Sequence, residues 1–220
     1  MKFSDILAST IHDMKNSLSM VINTLDELLA EKEHKDDKRL STLQHESKRL
    51  NNNLIALLSL YKIENERLSA NVEEINVADF LEEVVIDNQT LATARGISLE
   101  YTCDDMLVGY FDEWLIRGVL NNLIGNGLRY TSSRILIRAE TVDDFLVLRT
   151  EDDGSGFPQS MIDAQASFNR NETLSEGQTQ LGIYFAAMVA KAHKNGDKMG
   201  YIELSNGEQL TGGCSSVWLP

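Results

Sequence analysis

A chain of 220 residues, 42% hydrophobic and 25% charged, has an ordinary globular composition that excludes a disordered or fibrous protein, and it is long enough for two domains. Its formal net charge of −14 argues against nucleic acid as a partner, because a phosphate backbone is bound by releasing counterions to a basic surface. Cys103 and Cys214 lack CxxC spacing, so neither a metal cluster nor a disulfide framework has support, and no apolar run approaches the roughly 20 residues that span a bilayer; a cytoplasmic protein without a direct membrane span is expected.

From Leu7 the apolar residues Leu7, Ile11, Met14, Leu18, Val21, Leu25 and Leu28 recur at alternating steps of four and three, which is the seam of a coiled coil on one long helix. A dense run of charges over 31–39 interrupts it. Leu40, Leu43, Leu50, Leu54, Leu57 and Tyr61 then resume the register, with Ser47 in the vacant position. Two amphipathic helices joined by a polar turn cannot bury both seams alone, so residues 1–68 are expected to form a helical hairpin that pairs as a homodimeric four-helix bundle; packing on the C-terminal domain is the alternative.

His12 follows the seam position Ile11 and therefore lies on the flank of the helix, facing water. His34, His45 and His193 read as solvated surface residues. In the string HDMKNSL, Asp13 adjoins the imidazole and Asn16 lies one turn further on the same face. A carboxylate beside histidine can hold one ring nitrogen as N–H and leave the other as a nucleophile. An amide at Asn16 can place a water for in-line attack on a phosphoryl group without acting as a base.

After Leu68 the pattern changes to short elements. Strand-like runs (ISLEYT, SRILIRAETV, FLVLRT, YIELSN, SSVWLP) alternate with helix-like ones (VADFLEEVVIDNQTLATA, EWLIRGVLNNLIGNGLRYT, LGIYFAAMVAKAH), which predicts an α/β sandwich over residues 69–220: a mixed sheet with helices on one face. With the N-terminal helices the fold class is α+β.

Asn122 and Asn126 are four apart, so their amides project from one face of a helix. Asparagine and glycine at 121, 122, 125, 126 and 127 cost that helix roughly 0.5–1 kcal/mol each against alanine, which favours a functional reading. Neutral amide oxygens together with phosphate oxygens suit Mg2+. In EDDGSGFP, Asp152 can accept a hydrogen bond from an exocyclic amine, and Gly154 and Gly156 let a base approach the backbone. A long polar loop is expected from Ile162 to Gln180, in which Arg170 can reach a terminal phosphate. Leu181 and Gly182 open the next helix, whose free N–H groups can hold phosphates.

With these pieces in order, the chain resembles the sensor histidine kinases, whose nucleotide domain belongs to the group shared with gyrase, the Hsp90 chaperones and the MutL repair proteins. HDMKNSL resembles the phosphoacceptor box, VLNNLIGNGLRYT the asparagine box, EDDGSGF the first glycine box, FNR the phenylalanine box and LGIYFA the end of the second glycine box. GGCSSVWLP is similar to the usual final strand. The resemblance implies ATP and Mg2+ as cofactors, His12 as phosphoacceptor, Asp13 as its acid/base partner and Asn16 as the phosphatase amide. It further implies Asn126 as a Mg2+ ligand with Asn122 beside it, Arg129 and Tyr130 near phosphate and base, and Asp152 as adenine reader. Phe168, Arg170 and Gly182 fall to the lid and phosphate loop.

The expected activity is that of a two-component kinase that autophosphorylates His12, passes the phosphoryl group to an aspartate of a response-regulator receiver domain, and dephosphorylates that regulator. Three departures qualify it. Ser17 stands where the family commonly has proline, which lessens a helix bend. Gln178 and Gln180 replace glycines of the second glycine box, and they weaken ATP binding if either position needs a positive φ or a close backbone approach. Eleven residues precede His12, so the expectation is an excised core or one served by a separate sensor protein. The alternative is a histidine phosphotransferase or pseudokinase with a degenerate ATP domain.

Overall fold

The computed structural model describes residues 3–30, 37–64, 69–165 and 180–220. The chain divides into two compact units, Met1–Leu68 and Ser69–Pro220.

The first unit pairs two long helices, α1 (Phe3–Ala30) and α2 (Lys38–Glu64), which pack against each other. Apolar residues seven apart lie on one stripe of a helix, and the seam separates into two such rows. Ile11 and Leu25 on α1 are buried with Leu18 half-buried between them, and on α2 Ser47 is buried between half-buried Leu40 and Leu54. The other row is open: Met14 and Val21 are 52% and 45% exposed, and Leu43, Leu50 and Leu57 are 52%, 50% and 40% exposed. At the edge of the pair, Asp26 accepts a hydrogen bond from the Gln44 side chain and meets Lys48 Nζ at 3.6 Å. Helix α1 continues through Ser17, whose hydroxyl donates to the Asp13 carbonyl at 3.0 Å and remains within the helix.

The second unit runs β1 (Glu73–Asn76), α3 (Val77–Ala94), β2 (Ser98–Thr102), β3 (Val108–Phe111), α4 (Glu113–Tyr130), β4 (Arg134–Val142), β5 (Phe145–Asp152), α5 (Gln159–Asp163), α6 (Gln180–Ala192), β6 (Lys194–Asn195), β7 (Lys198–Met199), β8 (Tyr201–Asn206) and β9 (Gly213–Leu219). Five strands form a mixed sheet in the order β2-β4-β5-β9-β8, parallel between β2 and β4 and antiparallel elsewhere. β1 pairs with β3, and β6 with β7, as small antiparallel ribbons.

Helices α3, α4 and α6 cover one face of the sheet. Each shows why it forms. In α4, Leu115, Ile116, Val119, Leu120, Leu123, Ile124 and Leu128 repeat at three and four and are all buried. Both α3 and α4 start on a side-chain cap: Asn76 accepts from the Asp79 N–H, and Asp112 from the Leu115 N–H, each at 3.0 Å. The sheet supplies Ile135, Ile137, Leu148, Val217, Ile202 and Leu204, all at most 1% exposed. Their alternation along the strands puts Thr150 and Ser215, opposite one another in register, on the same helix-facing side.

The structure corrects the reading of His193 as a surface residue. It is 1% exposed at the C-terminal end of α6. Its Nδ1–H donates to the Val189 carbonyl at 2.8 Å, and Nε2 accepts from the Asp112 N–H at 2.9 Å. The ring thus joins the end of α6 to the start of α4. The expected loop from Ile162 to Gln180 is also shortened, since Ile162 belongs to α5 and Gln180 is the first residue of α6.

Burial lowers the His193 pKa below 6.5 against the opposing effects of the Val189 carbonyl and Asp112. The unfolded chain therefore takes up this proton first, and stability is lost as pH falls through the free imidazole value of about 6.5. Urea unfolding of the second unit at pH 7.5 and pH 5.5 should show lower stability at the acid pH. In His193→Gln that difference should shrink, alongside a loss of about 1–3 kcal/mol at pH 7.5 from the disturbed buried hydrogen bonds; an unchanged pH difference would refute this account.

Candidate functional site

The end of β5 builds the site with two adjacent carboxylates that do different work. Asp153 turns toward the residues that follow α4. It accepts from the Thr131 hydroxyl, the Ser133 hydroxyl at 2.6 Å and the backbone N–H groups of Ser132, Ser133 and Arg134 at 2.9–3.1 Å. Burial opposes the charge, but these bonds, led by those from Ser133, hold the carboxyl well below the ordinary carboxylate range. Asp153 thereby fixes the C-terminal end of α4 to the end of β5.

Asp152 turns the other way, into a cavity of about 220 Å3 between α4, β5, β9, α5 and α6. Its Oδ1 accepts from the Gly154 N–H at 2.8 Å. Glycines surround it because nothing larger fits. A Cβ on Gly154 would overlap the Tyr130 carbonyl oxygen, one on Gly212 would overlap the Asp152 carboxylate, and one on Gly213 would lie 2.9 Å from the Phe157 ring. Gly156 has φ +75°, the left-handed region that glycine adopts without strain. Beyond it, the Phe157 N–H donates to Asn206 Oδ1 at 2.8 Å, and Asn206 Nδ2 donates back to the Phe157 carbonyl at 2.9 Å.

The cavity walls are apolar, with Leu123, Phe157, Met161 and Ile183, and the polar groups gather at Asp152, Thr150, Ser215, Asn126 and Tyr130. Thr150 Oγ1 is buried without a hydrogen-bond partner. An orphaned hydroxyl carries a desolvation cost of about 1–3 kcal/mol unless a ligand or water satisfies it. An apolar slot with a fixed carboxylate and a hydroxyl at one end suits a flat heteroaromatic ring with an amine on its edge.

The three asparagines of α4 divide their roles. Asn121 faces α3, where its Oδ1 accepts from Asn88 Nδ2 at 2.7 Å. Asn126 lines the cavity and its Nδ2 donates to Asn122 Oδ1 at 3.4 Å, which keeps Asn126 Oδ1 as an acceptor for a cation. Asn122 also touches the start of α6, because a Cβ on Gly182 would overlap its side-chain oxygen. Among the described residues no group of three His, Cys, Asp or Glu side chains could hold a metal ion.

The remaining sequence candidates are dispersed. Tyr130 is exposed and lines the cavity, whereas Arg129 is exposed one residue before it. Leu181 is half-buried in the first turn of α6. Phe168, Arg170 and Gln178 lie outside the described residues, as do the His12 and Gln180 side chains. His12 occupies α1 directly after buried Ile11, with Asp13 and Asn16 exposed on the same helix. Thr150, Ser215, Gly212, Gly213, Asn206 and Met161 were not singled out from the sequence. The usable signal was a threonine and a serine at positions that alternate with the apolar residues of β5 and β9, together with the GG pair at the start of β9.

Among the described residues no helix is long and apolar enough to cross a membrane. Residues 111–220 match the family model of histidine kinase-, DNA gyrase B- and HSP90-like ATPases. The sensor protein SrrB of Staphylococcus aureus is 25% identical over 199 residues, covering 86% of this chain and 34% of SrrB; the chain thus spans about a third of the length of the curated relatives it matches. Among solved structures, the Acinetobacter baumannii histidine kinase AdeS aligns with a TM-score of 0.63 at 21% identity, covering 94% of this chain and 96% of that one. Full-length ShkA in complex with AMPPNP aligns with a TM-score of 0.62 at 20% identity, covering 97% of this chain and 44% of that one. The chain belongs to the family of histidine kinase-, DNA gyrase B- and HSP90-like ATPases, whose model covers residues 111–220 of the second unit.

Proposed function

We propose that this chain is the core of a two-component histidine kinase that phosphorylates its own His12 from ATP and passes the phosphoryl group to an aspartate on a response-regulator receiver domain. The observation that carries the reading is the cavity in which the Asp152 carboxylate and the orphaned Thr150 hydroxyl meet apolar walls. There Asp152 accepts a hydrogen bond from the amine of adenine, Thr150 and Ser215 face its ring edge, and Ile183, Met161 and Leu123 hold its faces. Asn126, with Asn122 behind it, supports Mg2+, which when bound offsets the charge of the phosphates. Arg129 and Tyr130 lie near phosphate and base, and Leu181 and Gly182 at the start of α6 face the phosphates; the family resemblance alone assigns Phe168 and Arg170 to the lid and phosphate loop.

In the transfer step one ring nitrogen of neutral His12 attacks the γ-phosphorus. A P–N bond forms as the bond to the leaving ADP oxygen breaks. Asp13 holds the proton on the other nitrogen and offsets the positive charge of the phosphorylated ring. Asn16 orients the water that later hydrolyses the aspartyl phosphate of the regulator, giving the phosphatase activity. The exposed row of Met14, Val21, Leu43, Leu50 and Leu57 is what a second copy of the helical pair would cover, which supports a homodimer.

The rival reading, a phosphotransferase or pseudokinase without ATP binding, draws on Gln178 and Gln180 in place of glycines. Gln180 is the first residue of α6 and lies in helical backbone, so no left-handed conformation calls for glycine at that position. That observation removes the backbone-conformation argument against ATP binding at Gln180.

Incubation with Mg-ATP should label the protein on histidine, and His12→Gln should abolish the label; a variant that still labels would overturn His12 as acceptor. In calorimetric titration Asp152→Asn should weaken ATP binding by roughly 10- to 100-fold, the worth of a hydrogen bond to a charged group. Thr150→Val should weaken it less than about tenfold, as for a neutral hydrogen bond. Absence of binding by the unaltered chain at millimolar nucleotide would favour the rival.

A further inference from the structure

The face of the sheet away from the helices holds a buried carboxylate that the nucleotide cavity does not contain. Glu151 is 1% exposed, and register places it in a row with Leu136 of β4, Cys214 of β9 and Ser205 of β8. A buried carboxylate is costly unless its oxygens are satisfied, and here they are. Arg138 Nε donates to Oε1 at 2.6 Å, while the backbone N–H groups of Gln209 and Leu210 donate to Oε2 at 2.8 and 3.1 Å.

Those two amides belong to the turn between β8 and β9, which closes through a Gly207 N–H to Gly212 carbonyl bond at 3.0 Å. Gly212 then donates its own N–H to the Asp152 carbonyl at 2.9 Å, and Gly212 and Gly213 lie flush against the Asp152 side chain. A continuous path of contacts therefore runs from Arg138 through Glu151 and the turn to Asp152.

We infer that Glu151 is a positioning residue for base recognition: by tying down the turn over residues 207–212 it presses Gly212 and Gly213 against Asp152 and fixes the angle at which that carboxylate accepts a hydrogen bond. This rests on the reading of Asp152 as the group that meets the base. An acceptor fixed in direction distinguishes a 6-aminopurine from a 6-oxopurine, because it cannot turn from the C6 oxygen, which offers no proton, toward the neighbouring N1–H. A loosened one loses that distinction.

The test uses the full chain and titrations with Mg-ADP and Mg-inosine diphosphate. The unaltered protein should prefer ADP, and Asp152→Asn should collapse the preference. Glu151→Ala should reduce the ratio of the two affinities by about tenfold. Glu151→Gln, which keeps an acceptor for the turn amides, should retain most of the ratio. A folded Glu151→Ala with the full ratio overturns the inference while leaving the role of Asp152 intact. If the unaltered protein shows no preference, or Asp152→Asn keeps it, both fall. Should Glu151→Ala fail to fold, hydrogen exchange in the unaltered protein decides, because coupling is reciprocal. The amides of Gln209, Leu210 and Gly212 should exchange more slowly with ADP than with inosine diphosphate, and equal protection overturns the inference.

Discussion

The close approach of Gly212 and Gly213 to the last residues of β5 is the constraint on which the candidate site depends. Backbone meets carboxylate there with no room for a Cβ, so the direction of the Asp152 side chain follows from chain packing more than from a rotamer choice. On the other side, Gly154 lies against the Tyr130 carbonyl, and Asp153 draws the segment after α4 onto the same point through five donors. Helix, strand and turn are thus joined within a few ångströms of the cavity.

The helix-facing side of the sheet is otherwise a conventional apolar core. Thr150, Ser215 and Asp152 interrupt it at one place, where α4 and α6 leave a cavity instead of closing over the strands. An unsatisfied hydroxyl at that position is a local cost that a packed core would not retain. Elsewhere in the second unit His193 is paired with Val189 and Asp112 and Glu151 with Arg138 and two backbone amides, while the indole Nε1 of Trp218, on the opposite face of the sheet, is a second buried group without a partner among the described residues. What sets Thr150 apart is that its unpaired hydroxyl lines the cavity.

Much of the scaffold was readable from sequence because it repeats. The periodic burial of Val77–Ala94 and of the helix from Glu113 announces α3 and α4, and the long runs of β4, β5 and β9 announce the sheet. The four-residue strands β1 and β3 and the two-residue strands β6 and β7 carry too little pattern to register. His193 was misread because its partner Asp112 is 81 residues away, and no local signal distinguishes a buried imidazole from a solvated one. Asp152, Gly154 and Gly156 stood out as a motif. Thr150 and the Gly212–Gly213 pair did not, since their meaning arises only when the antiparallel register brings β5 and β9 side by side.

The two rows of the helical seam differ in what completes them. Ile11, Leu25 and Ser47 find their neighbours within one chain, so that row contributes stability at any dilution. The row of Met14, Val21, Leu43, Leu50 and Leu57 contributes only when another surface covers it. If that surface is a second copy, the melting point of the first unit depends on protein concentration by mass action, whereas that of the second unit, with its core closed within the chain, does not.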